Sequence, residues 1–124
     1  MKLKNSEIPA FRDKLAKEQN GMCWICSVDL CSVTATLDHS HQSGRCRSTL
    51  CANCNGLEGR IFNIARRGKR KRTEMEFLKS ILDYWDYHAK NPRQEIHPTH
   101  KTKDEKRLAR NKKARERRKK IDGL

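Results

Sequence analysis

The chain of 124 residues has no run of about 18 apolar residues, so nothing in it is long and apolar enough to span a bilayer as a helix. Its opening, Met1-Lys2-Leu3-Lys4-Asn5-Ser6-Glu7, turns polar at once, which is not the pattern of a secretory signal. A cytoplasmic location without a membrane partner is therefore expected. Apolar residues are scarce: 35% of the chain is hydrophobic, no more than the 35% that is charged. A core that thin needs a staple, and a structural metal is one common remedy in small domains. Acidic residues are short too, with 15 Asp and Glu against 29 Lys and Arg and a net charge of +14. That surplus points to a polyanionic partner, a nucleic acid or an anionic membrane surface.

What the chain does have is cysteine in a pattern. Cys23-Trp24-Ile25-Cys26 and Cys51-Ala52-Asn53-Cys54 are two CxxC pairs, and no other internal repeat exists. In a reducing compartment such pairs point to a metal rather than to two disulfides or four free thiols. Four thiolates match tetrahedral zinc in a closed, structural site. Cys31 and Cys46 are left over and are expected to be small buried side chains, Cys46 on a strand.

A first helix is expected over residues 8–20, with Pro9 in its first turn, Phe11 and Leu15 on one face and Asn20-Gly21 as its stop. Val33 to Leu37 favours a strand, Ser43-Gly44 a turn, and Arg45 to Leu50 a returning strand. A helix then runs from about Cys51 to Gly68. The basic run 66–72 reads as a solvated linker. Thr73, with Glu76 at the capping-box position, opens another helix in which Leu78, Ile81, Leu82 and Trp85 form one buried stripe, extended by Met75. Tyr84 and Trp85 are expected in a core rather than as base-stacking platforms. Asn91-Pro92 ends this helix. Lys101 to Lys120 holds 12 Lys or Arg against 3 Asp or Glu, too few apolar residues to bury a face. The expected fold is a small, mostly helical α+β protein. Its parts are a core over 1–67, a basic linker and helix over 68–91 that can serve in dimerisation, and a basic tail over 92–124, flexible or DNA-bound.

Asp38-His39-Ser40-His41 ends the first strand, and Asn55 follows the second cysteine pair. A strand end and a helix start tied to one zinc can hold Asp38 and Asn55 close together. Both are hard oxygen donors that suit Mg²⁺ or Mn²⁺ better than zinc. His39 can take a proton from water near neutral pH.

Cys23-Trp-Ile-Cys26, Leu37-Asp-His-Ser-His41, Gly44-Arg-Cys-Arg47, Leu50-Cys-Ala-Asn-Cys-Asn55 and Gly59 together resemble the phage recombination endonuclease VII family, within the His-Me finger (HNH, ββα-metal) nucleases. The resemblance covers residues 11–62 well and the following helix more loosely. It implies a zinc-stabilised ββα-metal core with flanking helices, and zinc on Cys23, Cys26, Cys51 and Cys54. It further implies a catalytic Mg²⁺ on Asp38 and Asn55, His39 as general base, and His41 at the scissile phosphate or leaving group. Glu58, one turn beyond Asn55, supports the metal site, and Arg47 touches phosphate. Two positions depart from the family pattern: Ser48 stands where glycine is frequent, and Ser40 where aspartate is. The implied activity is Mg-dependent cutting of branched DNA, such as four-way (Holliday) junctions and mismatches, by a homodimer in a bacterial host cell. Two other readings are a nicking or homing HNH nuclease and a non-catalytic zinc-knuckle DNA-binding protein. Arg45, Arg47, Arg66, Arg67, Lys69, Arg70, Lys71 and Arg72 are the expected DNA-contacting side chains of the core and linker.

Overall fold

The computed structural model describes residues 1–123. These fall into two compact units, Met1–Leu82 and Asp83 onward, with the boundary inside a helix. The first unit opens with a short 3-10 turn and helix α1 (Ile8–Glu18), then strands β1 (Ala35–His39) and β2 (Cys46–Cys51), then helix α2 (Ala52–Gly68) and most of the first half of α3 (Glu74–Lys90). The second holds the rest of α3, an irregular connection and α4 (Lys103–Asp122). This is the small α+β architecture expected, with a two-stranded sheet and a helix that follows it directly.

α1 stops where the sequence says it must. Asn20 and Gly21 both take positive φ, 58° and 74°, and the Gly21 N–H donates to the Ala16 carbonyl at 2.8 Å. Asparagine and glycine are the residues that enter this region at least cost. The reversal delivers the chain to the first knuckle, where Cys23 N–H donates to Val28 O and Ser27 N–H to Cys23 O.

β1 and β2 pair antiparallel, and the pairing slips by one residue in the middle. Leu37 faces Thr49 but His39 faces Cys46, so Arg47 and Ser48 together stand opposite Asp38. This is a β-bulge on β2, a device that bends a strand and re-aims its side chains. Ser48 lies in it without entering positive φ, which among the described non-glycine residues is confined to Asn20, Ser27 and Arg70. The serine is therefore accommodated without backbone strain.

The far edge of β2 is covered by a single side chain. Gln19 Nε2 donates to Thr49 O at 2.8 Å, and Thr49 N–H donates to Gln19 Oε1 at 2.9 Å. The carboxamide thus does for one residue what a third strand's peptide group would do. The fully buried Thr49 completes the dock by donating its hydroxyl to Arg12 O at 2.7 Å. Replacing Gln19 by alanine strands both backbone groups of Thr49. A loss of about 1–3 kcal/mol is expected, read as a lower denaturation midpoint at constant zinc.

The core is small. Its buried cluster is Cys23, Leu30, Leu50, Cys51 and Cys54, flanked by Ala16, Val28 and Ala35. Three of the five central members are cysteines of the CxxC pairs, so the centre of this unit is the sulfur cluster itself.

Several expectations are corrected. The helix expected from about Cys51 to Gly68 is α2 as found, with Arg66 and Arg67 in its last turn, where cations favour the helix C-terminus; the solvated linker is thereby shortened from 66–72 to Lys69 to Thr73. The α3 stripe is not buried: Leu82 is 60% and Trp85 63% exposed, and Met75 and Tyr84 are exposed as well. Cys31 and Cys46 are also exposed rather than buried. The basic tail contains α4, and, as its low apolar content implies, none of the helix's residues is buried. The Thr73 cap is as expected, its hydroxyl accepting the Glu76 N–H at 3.2 Å.

Candidate functional site

Two adjoining groups of side chains make the site. The first is the sulfur cluster. Cys23 and Cys26 come from the tight turn after α1, Cys51 closes β2 and caps α2, and Cys54 sits in the first turn of α2. All four sulfurs lie within 4.8 Å of one another. Cys26 Sγ and Cys51 Sγ are 3.8 Å apart. Zinc–sulfur bonds of about 2.3 Å put two tetrahedral ligands about 3.8 Å apart, so the cluster has the dimensions of a zinc site.

Its electrostatics ask for a dication. Burial alone pushes the Cys23 thiol up, but hydrogen bonds from the backbone of Cys26, Cys51 and Ile25 outweigh it and bring it down to about 6. Cys54 is pushed up to about 12, first by its hydrogen bond with Cys51 and then by burial. Crowded thiols cannot all ionise without a counter-charge, so one gives up its proton readily and another holds on to it. A zinc ion removes that conflict. The N-terminus of α2 helps, since Cys51 Sγ accepts the Cys54 N–H at 3.4 Å.

The second group centres on Asp38. It lies opposite the bulge, only 7% exposed. Arg47 Nε donates to its Oδ2 at 2.6 Å, and Arg47 Nη2 donates to Glu58 Oε2 at 3.0 Å. One guanidinium therefore ties the end of β1 to the second turn of α2. The pairing with Asp38, and secondarily with Glu58, raises the affinity of Arg47 for its proton against the effect of burial. Asn55 stands on α2 one residue after the ligand Cys54 and three before Glu58, half-buried. The i, i+3 spacing puts Asn55 and Glu58 on one side of the helix. Next to Asp38, His39 is exposed, and its ring lies 5.4 Å from that of His41, also exposed. Asp38 and Glu58 are thus both engaged by Arg47, so a hard divalent ion at Asp38 would have to share the carboxylate with the guanidinium or displace it.

The structure thus unites the four cysteines, links Asp38 with Arg47 and Glu58, and sets His39 beside His41. Arg45 lies in the hairpin turn, where its carbonyl accepts the Ser40 N–H. Arg66 and Arg67 are 11 and 12 residues beyond Asn55 on α2, roughly 16–18 Å along its axis. With Lys69, Arg70, Lys71 and Arg72 they lie outside the metal group. The use of Arg47 as a clamp was missed from sequence, because an ion pair nine residues apart depends on the bulge. No helix among the described residues is long and apolar enough to cross a membrane.

A bulged hairpin and a following helix, stapled by four cysteines and carrying a buried aspartate beside exposed histidines, define a small zinc-stabilised ββα protein. A family model described as recombination endonuclease VII matches residues 2–87 of the chain. The chain belongs to that family, which is one of endonucleases acting in DNA recombination.

Proposed function

We propose that this protein is a Mg²⁺- or Mn²⁺-dependent endodeoxyribonuclease that cuts branched DNA, with four-way junctions and mismatched sites as its substrates. The observation that carries the reading is Asp38, buried at the end of β1 next to the exposed His39 and its neighbour His41, in a chain of the endonuclease VII family. Asp38 and Asn55 would hold the divalent ion, which supplies positive charge to the phosphodiester and its leaving oxygen. His39 takes the proton of the attacking water, as its exposure allows. His41, beside it, serves the scissile phosphate or the leaving group. Glu58 and Arg47 fix Asp38 by the ion pairs described, and Arg47 remains 41% exposed, open to a phosphate on its solvent side.

A homodimer suits two-strand cutting, since a two-fold pair of sites meets two strands. Exposed apolar side chains support it. Leu57, Ile61 and Ile64 recur on α2, and an apolar groove of about 290 Å³ is lined by Ile25, Leu57, Ile61, Phe62 and Leu78. Such surfaces on a small protein mark association.

The decisive measurement is initial cleavage of a four-way junction against a linear duplex containing the same sequences, with Mg²⁺. The junction is expected to be cut at least tenfold faster, as differential transition-state binding to the branch requires. Equal rates would sink the preference for branched DNA.

A further inference from the structure

α4 carries the local signals of a helix but no stripe for a core. Thr102 caps it, its hydroxyl accepting the Glu105 N–H at 3.1 Å. Asp104 and Glu105 occupy the first turn, and Lys119 and Lys120 the last. Both ends therefore complement the helix dipole. Yet none of its residues is buried. A helix that is polar all round and encoded at both ends has its surface as its only asset.

That surface is ordered. Lys103, Lys106, Arg110, Lys113, Arg117 and Lys120 recur at steps of three and four residues, and at about 100° per residue they form one stripe roughly 26 Å long. Of the four acids of α4, Asp104, Glu105 and Asp122 are turned away from it, while Glu116 borders its C-terminal end, one turn from Lys113 and Lys120. Among the described residues no carboxylate lies within 4.0 Å of the six cations; the ion pair present on α4 joins Arg107 to Asp104. Lys101, Lys103, Lys106 and Arg110 also surround one open depression. The helix lies wholly beyond residues 2–87, the stretch that the family match covers.

We propose that α4 is a duplex-binding arm whose cationic stripe lies against the phosphates of double-stranded DNA. A row of point charges over roughly 26 Å suits the dense phosphate charge of a duplex. An anionic membrane fits less well, because a surface-seeking helix needs an apolar face that α4 lacks. Contacts of this kind position the protein without reading sequence. The choice of DNA as polyanion rests on the nuclease reading above.

The test uses the full chain with zinc bound. One variant carries Arg110→Gln, Lys113→Gln and Arg117→Gln. A matched variant loses the same charge off the stripe, through Lys112→Gln, Arg115→Gln and Lys119→Gln. Glutamine keeps helix propensity, so circular dichroism should be unchanged in both. Binding to a labelled linear duplex is followed by anisotropy without Mg²⁺, from about 50 to 200 mM salt. The stripe variant should lower the slope of log K against log salt by about 2–3 and weaken binding at least tenfold at the upper end, the matched variant by less than about 1 in slope. Equal losses in both variants, or none in either, overturn the arm. Junction cleavage by the unaltered protein separates the two claims. Cleavage without a stripe effect leaves the nuclease standing and the arm refuted. A stripe effect without any cleavage does the reverse.

Discussion

Replacing Cys54 by serine, or stripping zinc with a chelator, is expected to unfold the unit over residues 1–82 rather than merely to weaken it. Zinc bound by four thiolates contributes on the order of 10–16 kcal/mol in small metal-folded domains, whereas a whole domain is stable by about 5–15 kcal/mol. Here the ion has little to share the work with. The buried cluster is five residues, three of them ligands, so losing the ion removes the centre of the core as well as a cross-link. Thermal melting followed by circular dichroism, with and without chelator, makes the comparison. A Cys54→Ser protein with the native spectrum and an unchanged midpoint would refute the structural role of the cluster. The acid limit follows from Cys23. Its thiol is lowered to about 6 in the fold, against about 8.5 in an unfolded chain. A depressed acid contributes stability that is fully present above the unfolded value and is lost as pH falls through the folded one. The contribution of this sulfur is therefore fully present above about pH 8.5 and lost as pH falls through about 6. Because zinc competes with protons for the same sulfurs, the zinc-loaded protein, the form expected to be folded, should keep its melting midpoint to lower pH than that.

The second large effect is on chemistry with the fold untouched. His39→Ala is expected to slow Mg²⁺-dependent cutting by about 10²–10⁴-fold, the range for losing a positioned general base. Asp38→Ala is expected to abolish it. His39 is exposed and makes no hydrogen bond that the fold relies on among the described residues, so its loss should not move the melting point. Asp38 is buried, but its removal leaves Arg47 still paired with Glu58 and partly in water, so the zinc-loaded fold should persist. Supercoiled plasmid with Mg²⁺ or Mn²⁺ reads both variants, with melting as the control. Wild-type rates for His39→Ala would remove histidine from the mechanism. A native fold with no cutting by the unaltered protein under any divalent ion would favour a DNA-binding module instead.

The parts of the fold that sequence announced are those decided locally. Asn20-Gly21 stops α1 because those two residues tolerate positive φ, and Thr73 starts α3 because its hydroxyl meets the Glu76 N–H. Two CxxC pairs carry their spacing with them, so the cluster of four sulfurs was legible before any coordinate. What stayed hidden depends on partners far along the chain. Nothing in Arg47-Ser48 states that two residues will face one, yet that mismatch sets Arg47 against Asp38. Gln19 gives no hint that it will stand in for a strand beside Thr49. Periodicity in α3 correctly signalled a common face for Leu78, Ile81, Leu82 and Trp85, but period says nothing about what covers that face. In α4 the want of apolar residues announced that no face would be buried, and the Thr102 cap is the local signal that fixes where the helix begins. The roles of Asp38, His39 and Asn55 come from chemistry and resemblance, and the assays above are what decide them.

α2 begins at a zinc ligand and carries Cys54, Asn55 and Glu58 within its first two turns. Chain length in this stretch is therefore not a free variable. One residue inserted between Cys54 and Glu58 would rotate the glutamate by about 100° around the helix and swing it away from Arg47. One inserted in β1 would exchange the inward and outward faces beyond it, sending Asp38 to solvent and His39 inward. Lengthening is tolerable where no register is kept, as in the hairpin turn around residues 40–45, the connection from Lys69 to Thr73 and the irregular connection between α3 and α4. Growth at such places leaves the spacing of the sulfur cluster, Asp38, Asn55 and Glu58 along the chain unchanged.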